Sequence, residues 1–345
     1  MYKTKAIVFL NPQEIEIQEH QLQSLGPRDI LTRTIYSMVS PGTELRAWAG
    51  GYSADSPFPT IPGYSSVGEI VEVGAEVAGY RSGDLVSCRG PQPVPGISHA
   101  WGGQSSRQIF RAVGETRPVL LPAGADPLDY VIAEIAAISL RGADAALPQA
   151  GEQALVVGQG LIGAFSAAWL VGAGCRVVVT DMEQARLDRA AGWGVAATVP
   201  AGEPDAEARL AALLPTGADI VVESSGAAPG VHLAHRMLAK LPRTWAEPLT
   251  AFRGNWPRLV YQAVYKEPIP HSPAFMPGEG ASVLAPRDRG LEDRLKVVDS
   301  IRTGRIQTAP FLDRVLSYSE AAEAYRGLRD EKGRYFSVVF DWRGA

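Results

Sequence analysis

The sequence predicts an α/β protein made of two parts, a β-rich part and a doubly wound parallel sheet. Up to about residue 125, short apolar runs with strand-like alternation are separated by glycine and proline turns. From Asp126 onward the apolar period changes, and helical segments alternate with strands. A glycine-rich run at 155–163 joins a strand of this second part to a helix. A length of 345 residues also suits two domains better than one.

Strands dominate the first part of the chain. Those we predict lie at 5–9, 30–36, 66–74 and 83–88, with a further strand that follows Trp101. The run 30–36 alternates as a strand with one buried face does. The glycines within 66–74 mark bulges or close approaches of neighbouring backbone. Such a succession of short strands predicts a partly open barrel.

Helices and strands alternate through the second part. A helix is expected over 127–146, and strands and helices then follow at 154–158, 161–173, 176–181, 183–192, 218–224, 231–241, 258–264 and 281–284. This alternation predicts a parallel sheet covered by helices. The chain continues with a helix over 291–304 and another that starts near Tyr318, where Ser319 is the expected N-cap. A strand over 335–341 closes it.

The run 155–163 has the spacing of a dinucleotide-binding turn. Gly158 allows a sharp turn where the strand ends, Gly160 lets a pyrophosphate approach the backbone, and Gly163 lets the helix pack closely on the strand. The N-terminus of that helix directs free N–H groups at the phosphates. Asp181 follows Gly158 by 23 residues, which suits a carboxylate that binds a ribose 2′-hydroxyl. The alternative is an ordinary tight turn without a ligand.

Composition narrows the class of protein. The net charge is −4 and the 33 Lys and Arg are scattered, so a nucleic-acid surface is not expected. No run approaches the length of a membrane span, and the N-terminus does not resemble a signal peptide. Two cysteines in different predicted strands favour a reduced, cytoplasmic protein.

Several motifs resemble the medium-chain dehydrogenase/reductase superfamily, and the resemblance covers nearly the whole chain. The residues that carry it are 40–44, 61–68, 83–86, 102–103, 158–163 and 223–226. Within the superfamily, 39–44, 273–276 and 340–345 are similar to the bacteriochlorophyllide dehydrogenases, whereas the stretch 242–257 is longer than usual. The resemblance implies a GroES-like β-barrel catalytic domain, a Rossmann domain with a doubly wound parallel sheet, an active-site cleft between them, and a homodimer. We assign 1–125 and 291–345 to the first domain and 126–290 to the second.

The resemblance also raises the question of a catalytic zinc, which many members hold. The family's cysteine falls near Ser40 or Pro41, its Gly-His-Glu motif reads 63–65 as Gly-Tyr-Ser, and only Glu134 matches a carboxylate ligand. A catalytic zinc needs three protein ligands. Two cysteines are also too few for the family's four-cysteine site. We therefore predict no zinc.

Without a metal, other groups must handle the proton on the substrate oxygen. The resemblance places Thr43 at a hydroxyl that contacts this oxygen, Tyr64 at the lost histidine and Glu44 at a supporting acid. Near a cation such as the oxidised nicotinamide, the pKa of Tyr64 is expected to fall. Glu134 is expected to face the same cavity, and His99 is an alternative acid or base. Each of these residues also has a purely structural interpretation. In it, Tyr64 fills the space left by the zinc, Thr43 is a turn residue and Glu44 caps local backbone amides. Glu134 is then a structural acid near the start of a helix, and His99 is a surface residue of a loop.

Aromatic residues provide a further hypothesis about the substrate. Trp48, Tyr52 and Trp101 are candidates for a flat wall against a ring-shaped substrate, and the alternative is that they belong to the core.

Nicotinamide dinucleotide is the predicted cofactor. The residues assigned to it are Gly158, Gln159, Gly160, Leu161, Ile162, Gly163, Asp181, Met182, Arg186, Ser224 and Ser225. Asp181 should repel a 2′-phosphate, which favours NAD over NADP. The alternative for Arg186 is a solvated surface residue that does not contact the cofactor.

The function predicted from these observations is a zinc-independent, NAD-dependent oxidoreductase that interconverts a secondary alcohol and a ketone. Its small-molecule substrate is expected to contain a ring, as a cyclitol, a sugar or a tetrapyrrole does. The alternatives are a quinone or enoyl reductase, which NADPH would suit better, and a nucleotide-binding protein without catalysis.

Overall fold

The computed structural model describes residues 2–239, 256–265, 268–269, 280–287 and 290–345. The motif 273–276 and most of the stretch 242–257 lie outside the described residues. The described strands are β1 Lys3–Asn11, β2 Glu14–Gln21, β3 Asp29–Met38, β4 Thr60–Ile61, β5 Ser65–Val73, β6 Leu85–Cys88, β7 Ser98–His99, β8 Arg107–Arg111, β9 Val119–Leu120, β10 Gln153–Val157, β11 Arg176–Asp181, β12 Ala197–Pro200, β13 Ile220–Glu223, β14 Arg258–Tyr261, β15 Ser282–Leu284, β16 Arg314–Ser317 and β17 Val338–Asp341. The described α-helices are α1 Pro41–Trp48, α2 Pro127–Tyr130, α3 Ala133–Ala145, α4 Leu161–Gly172, α5 Gln184–Ala191, α6 Ala206–Leu213, α7 Ala228–Met237, α8 Leu291–Arg302 and α9 Ala321–Asp330.

The chain divides into two compact units. The first unit comprises Met1–Ala137 and Arg289–Ala345, and the second comprises Ile138–Asp288. The sequence prediction placed the first boundary at 125/126 and the second at 290/291. In the structure α2 and the first turn of α3 therefore belong to the first unit.

A parallel sheet forms the second unit, with the strand order β12-β11-β10-β13-β14-β15 among the described strands. Successive residues of β10 enter different cores: Val156 packs in a cluster with Leu170 of α4, and Leu155 packs in a cluster with Leu210 of α6. Helices thus cover both faces, which explains the nearly continuous apolar runs of these strands. The strand order is that of a doubly wound dinucleotide-binding sheet. The predicted fold of this part is confirmed.

Mixed β-sheets form the first unit. In its described residues one sheet has the order β2-β1-β4-β7, and another has the order β16-β17-β3-β5-β6-β9, with β8 also paired to β3. The late strand β17 pairs with β3 in antiparallel register, so the end of the chain completes the early β block. The buried cluster that contains Phe9, Val39 and Phe340 joins these sheets to α9. The predicted β-rich domain is confirmed.

Two local predictions differ from the structure. The helix expected over 127–146 is two helices, α2 and α3, and Asp126 caps the first through a hydrogen bond from the Leu128 N–H. The helix expected from Tyr318 is capped by Ser317 instead of Ser319. The Ser317 hydroxyl accepts the Ser319 N–H, and the Glu320 carboxylate accepts the Ser317 N–H in return. This capping box needs an acidic residue three positions after the cap, and only Ser317 has one.

Within the described ranges, no helix is both long enough and apolar enough to cross a membrane.

Candidate active site

The turn after β10 has the shape that its glycines predict. Gly158 has φ +91°, which L side chains rarely adopt. A Cβ atom at Gly163 would collide with the Gly158 carbonyl oxygen and lie 2.5 Å from the Ser224 Oγ. A Cβ atom at Gly160, in contrast, would meet no described atom within 4 Å. Gly158 and Gly163 are therefore required by the packing of the turn, and Gly160 leaves open space at the N-terminus of α4.

Asp181 lies at the carboxyl end of β11, beside this turn. Its Oδ2 accepts the backbone N–H of Gln159 at 2.5 Å, and its Oδ1 accepts the N–H of Glu183 at 2.8 Å. The Nη1 of Arg186 lies 3.6 Å from Oδ2, so Arg186 forms an ion pair with Asp181. The carboxylate is thus fixed where an adenine ribose is expected to bind in this type of sheet.

The segment after β13 packs directly on the glycine turn. The Ser224 hydroxyl donates to the carbonyl oxygens of Val157 and Gly158, each at 2.9 Å. Buried Glu223 holds the next residue, because its carboxylate accepts the Ser225 N–H at 2.8 Å. The hydroxyls of Ser225 and Tyr265 also hydrogen-bond to Glu223. Ser224 and Ser225 are therefore held beside the turn, as a cofactor site requires.

The other residues assigned to the cofactor also lie in the second unit. Gln159 and Leu161 are buried, Ile162 is half-buried, and Met182 is 70% exposed next to Asp181. Open space at Gly160, a helix N-terminus and a fixed carboxylate are what a dinucleotide needs. The second unit therefore fits a nicotinamide dinucleotide.

In the first unit, hydroxyl groups gather at the N-terminus of α1. The structural alternative for Thr43 was a turn residue, but Thr43 lies in α1, where Pro41 suits the first helical position and Ser40 is the N-cap. The hydroxyl of Tyr64 donates to the Ser40 Oγ at 2.5 Å and also hydrogen-bonds to the side chain of Thr43. The structure thus brings Tyr64 together with Ser40 and Thr43.

The pKa of Tyr64 differs from the expectation. Desolvation raises the pKa of this phenol to about 12, and the bonds to Ser40 and Thr43 oppose the shift only in part. The expected fall in pKa required a cation next to the phenol, and neighbouring Glu44 acts in the opposite direction. In the protein as described, Tyr64 therefore carries its proton near neutral pH and can donate it.

Glu44 is fully buried and tied into the fold. Its Oε1 accepts the Ser40 N–H at 2.8 Å, and its Oε2 accepts from the Gln104 amide at 3.1 Å and the Tyr325 hydroxyl at 2.5 Å. Burial raises the pKa of this carboxyl to about 7, although these hydrogen bonds lower it. Glu44 thus fixes the backbone of Ser40, and through it the acceptor of Tyr64.

This hydrogen-bonded chain extends to the end of the protein. The Gln104 Oε1 accepts from the Ser37 hydroxyl at 2.5 Å, and Ser37 accepts from the indole N–H of Trp342 at 2.7 Å. Sequence reasoning missed Gln104, Tyr325 and Trp342. Nothing local in the sequence links them to Glu44, because contacts between distant segments bring them to it.

Glu134 forms ion pairs with two arginines. Its carboxylate is 3.1 Å from the Nη1 of Arg89 and 3.6 Å from the Nε of Arg294, and Glu134 and Arg294 are both buried. Removing either partner would leave a buried charge, which is costly. These contacts favour the structural interpretation of Glu134.

The residues at the expected zinc positions do not fit a zinc ion. Ser40 accepts from Tyr64, the Ser65 hydroxyl donates to the Val131 carbonyl, and Glu134 is engaged by arginines. In the part of the chain that the structure describes, no group of three or more His, Cys, Asp and Glu side chains is placed to hold a metal. A catalytic zinc needs such a group.

His99 does not suit the role of acid or base. Its Nε2 accepts the backbone N–H of Val94 at 2.8 Å, so this nitrogen carries no proton. Burial lowers the pKa of His99 to about 4. The imidazole is therefore neutral near pH 7 and supports the loop that precedes Trp101.

The aromatic residues expected to form a wall are not all exposed. Trp48 is only 3% exposed and packs with Phe9 and Tyr325 in the core. Trp101 is 40% exposed. The centroid of its ring lies 5.4 Å from that of Tyr52 and 5.6 Å from that of Tyr64, and both pairs are edge to face. Trp101 also has φ +76°, a strained conformation for a bulky residue. Tyr52, Trp101 and Tyr64 thus form an angled aromatic cluster instead of a flat wall, and Trp48 belongs to the core.

Two protein-family profiles match the chain. The family described as alcohol dehydrogenase GroES-like domain matches residues 26–109, and the family described as zinc-binding dehydrogenase matches residues 162–243. The first match lies in the β-rich unit and the second begins within the glycine turn. Both profiles thus agree with the division of the chain between two units.

Individual proteins extend the comparison. A 2-desacetyl-2-hydroxyethyl bacteriochlorophyllide A dehydrogenase from Rhodobacter capsulatus is 27% identical and spans 99% of both chains. An L-threonine 3-dehydrogenase from Rhizobium etli is 31% identical over 66% of this chain and 70% of its own. A crystal structure of a putative zinc-binding dehydrogenase from Sinorhizobium meliloti 1021, bound to NADP, has a TM-score of 0.82 at 20% identity and covers 99% of this chain and 100% of its own.

Proposed function

Because the chain belongs to the medium-chain dehydrogenase/reductase superfamily of oxidoreductases, we propose that it interconverts a secondary alcohol and a ketone, with NAD and without zinc. The substrate that we propose carries a ring, as a cyclitol, a sugar or a tetrapyrrole does. The name of the R. capsulatus relative contains a hydroxyethyl bacteriochlorophyllide, which supports a ring-bearing alcohol. In the protein itself, the exposed ring of Trp101 supports a ring-bearing substrate.

The observation that carries the zinc-free proposal is the hydroxyl cluster of Ser40, Thr43 and Tyr64. Ser40 and Tyr64 lie at positions where the superfamily's metal ligands are expected, and Thr43 lies at the position of the hydroxyl that contacts the substrate oxygen. The Tyr64 phenol is desolvated and holds its proton at neutral pH. A desolvated donor of this kind can stabilise charge on a substrate oxygen without a metal.

We propose the following roles for the side chains. Bound NAD would supply or accept the hydride at its nicotinamide ring. During reduction of a ketone, Tyr64 donates its proton to the oxygen that gains negative charge, and the Ser40 and Thr43 hydroxyls relay a proton from solvent to the resulting phenolate. During oxidation the same groups remove the alcohol proton. Glu44 keeps Ser40 in place through the backbone N–H that it accepts.

The metal content and cofactor affinity of the purified protein test this proposal together. We expect less than about one zinc per ten chains, binding of NADH, and reduction of aromatic methyl ketones that survives treatment with a chelator. Stoichiometric zinc that is needed for activity would contradict the metal-free mechanism. Failure to bind NADH or NADPH would contradict a dehydrogenase altogether.

Replacing Asp181 tests the preference for NAD. Asp181→Ala is expected to weaken NADH binding about 10- to 100-fold, because a charged hydrogen bond to the ribose is lost. NADPH should bind at least as well as before, since the carboxylate that repels its phosphate is gone and Arg186 is released from its ion pair. Fluorescence titrations with both nucleotides measure the ratio.

Asp181→Asn is the matched control for the Asp181 prediction. It keeps an oxygen that can accept the N–H of Gln159 but removes the charge. If both variants leave the ratio of NADH to NADPH affinity unchanged, Asp181 does not select the cofactor.

A further inference from the structure

One face of α1 carries both the proposed proton-transfer group and a cation. Thr43 and Arg46 are three positions apart, so they lie on the same helix face about 4.5 Å apart along the axis. The hydroxyl of Tyr64 meets Thr43 at one end of this face. Arg46 is therefore one helical turn from the atoms that would exchange a proton.

Aromatic rings connect the same two points through space. The guanidinium of Arg46 lies over the ring of Tyr52, 5.1 Å from its centroid. Tyr52 contacts Trp101, and Trp101 contacts Tyr64, each edge to face. Arg46, Tyr52, Trp101 and Tyr64 together provide a cation, apolar rings and a hydroxyl donor.

Arg46 has an incomplete set of partners. Among the described residues no carboxylate forms an ion pair with it, and its Nη1 is buried without a hydrogen bond. A buried donor that lacks an acceptor is costly. The last turn of a helix favours a cation, and so does the Tyr52 ring, but neither provides an acceptor for Nη1. A planar anion can do so, because guanidinium groups bind carboxylates with paired hydrogen bonds.

We propose that Arg46 binds a carboxylate carried by the substrate, whose planar ring packs against Tyr52 and Trp101 while its alcohol or ketone oxygen meets Tyr64. This rests on the proposed function and adds the class of substrate, a secondary alcohol or ketone on a planar ring that bears a carboxylate. Neutral sugars and cyclitols do not belong to this class. The phosphates of the cofactor are the alternative anions for Arg46, and the experiment separates them from the substrate.

A pair of ketones that differ only in charge tests the proposal. The probes are 4-acetylbenzoate and its neutral methyl ester. Their binding to the full-length protein saturated with NAD⁺ is measured by calorimetry, so that no turnover occurs, and their reduction by NADH is measured separately. We expect wild type to bind the acid about 10- to 100-fold more tightly than the ester.

The variants assign this preference to particular side chains. Arg46→Gln should remove the preference for the acid, leave the ester within about twofold, and leave NADH affinity unchanged. Arg46→Lys should retain part of the preference, because the charge remains. Trp101→Leu should weaken both probes about equally, by roughly 2- to 10-fold. Arg33→Gln is the matched control, since Arg33 is an exposed cation of β3 that pairs with Glu69.

The other outcomes overturn one proposal or the other. Equal binding of acid and ester by wild type, or equal losses in Arg46→Gln, would overturn the role of Arg46. Weaker NADH binding in Arg46→Gln with the probes unaffected would assign Arg46 to the cofactor instead. Reduction of the ester without preference for the acid would leave the proposed function standing. If the protein binds NADH but reduces neither probe, the proposed function fails for aromatic ketones, and the calorimetric comparison still decides the role of Arg46.

Discussion

A single methyl group at Gly163 is expected to abolish dinucleotide binding and to destabilise the second unit. The Cβ of Gly163→Ala would collide with the Gly158 carbonyl oxygen and crowd the Ser224 hydroxyl. Both neighbours are fixed, since the Ser224 hydroxyl itself donates to Gly158. Overpacking of this kind costs about 3 kcal/mol, which lowers Tm by roughly 6–12 °C for a domain of this size. Calorimetric melting and NADH titration measure the two effects.

Two other glycines separate the contributions of packing and binding. Gly160→Ala adds a methyl group to open space, so Tm should change little while NADH affinity falls at least about 100-fold, because the pyrophosphate approaches there. Gly172→Ala, at the end of α4, meets no described atom within 4 Å and should change neither quantity by much. Normal NADH affinity in Gly160→Ala would place the phosphates elsewhere.

Tyr64→Phe is expected to lower kcat about 100- to 10,000-fold while NADH affinity stays the same. The variant keeps the ring that packs on Trp101 and removes the only phenol that donates to Ser40 among the described residues. Loss of a positioned proton donor has effects of this size. The pKa of about 12 means that Tyr64 is almost fully protonated at pH 8 in the free protein. Removing the proton donor should therefore reduce ketone reduction directly.

Steady-state kinetics with Tyr36→Phe as the control test this prediction. Tyr36 lies on β3 of the same unit, and the guanidinium of Arg343 lies over its ring. Tyr36 does not belong to the hydroxyl cluster of Ser40, Thr43 and Tyr64. Its variant should retain wild-type kcat. Wild-type turnover in Tyr64→Phe would contradict a chemical role and leave Tyr64 as a residue that only fills space.

The sequence predicted the fold well wherever local pattern decides structure. The glycine turn, the alternation of strands and helices and the acid after β11 are all short-range features, and the doubly wound sheet follows from them. Errors arose where the pattern is ambiguous at short range. A turn was the structural alternative for Thr43, but proline is well placed in the first turn of a helix, and α1 begins at Pro41.

The candidate site in the first unit was predictable only in part. Motif positions led to Thr43, Glu44 and Tyr64, which the structure places close together. The pKa of Tyr64 was not predictable, because desolvation depends on packing that the sequence does not display. Trp48 and Trp101 are both candidates for the aromatic wall in the sequence, yet one is core and the other is exposed. Burial of an aromatic residue is decided by tertiary contacts, and residue type does not reveal them.

The hydrogen bond from Tyr325 to Glu44 has a consequence for the order in which the protein folds. These residues are 281 positions apart, and Ser37 and Trp342 are 305 positions apart. Residues 138–288, in contrast, form one uninterrupted unit. During synthesis the early β block therefore emerges before Tyr325 can reach Glu44 and before β17 can pair with β3. The dinucleotide-binding unit can finish folding first, and the unit that begins the chain is completed only when its last residues leave the ribosome.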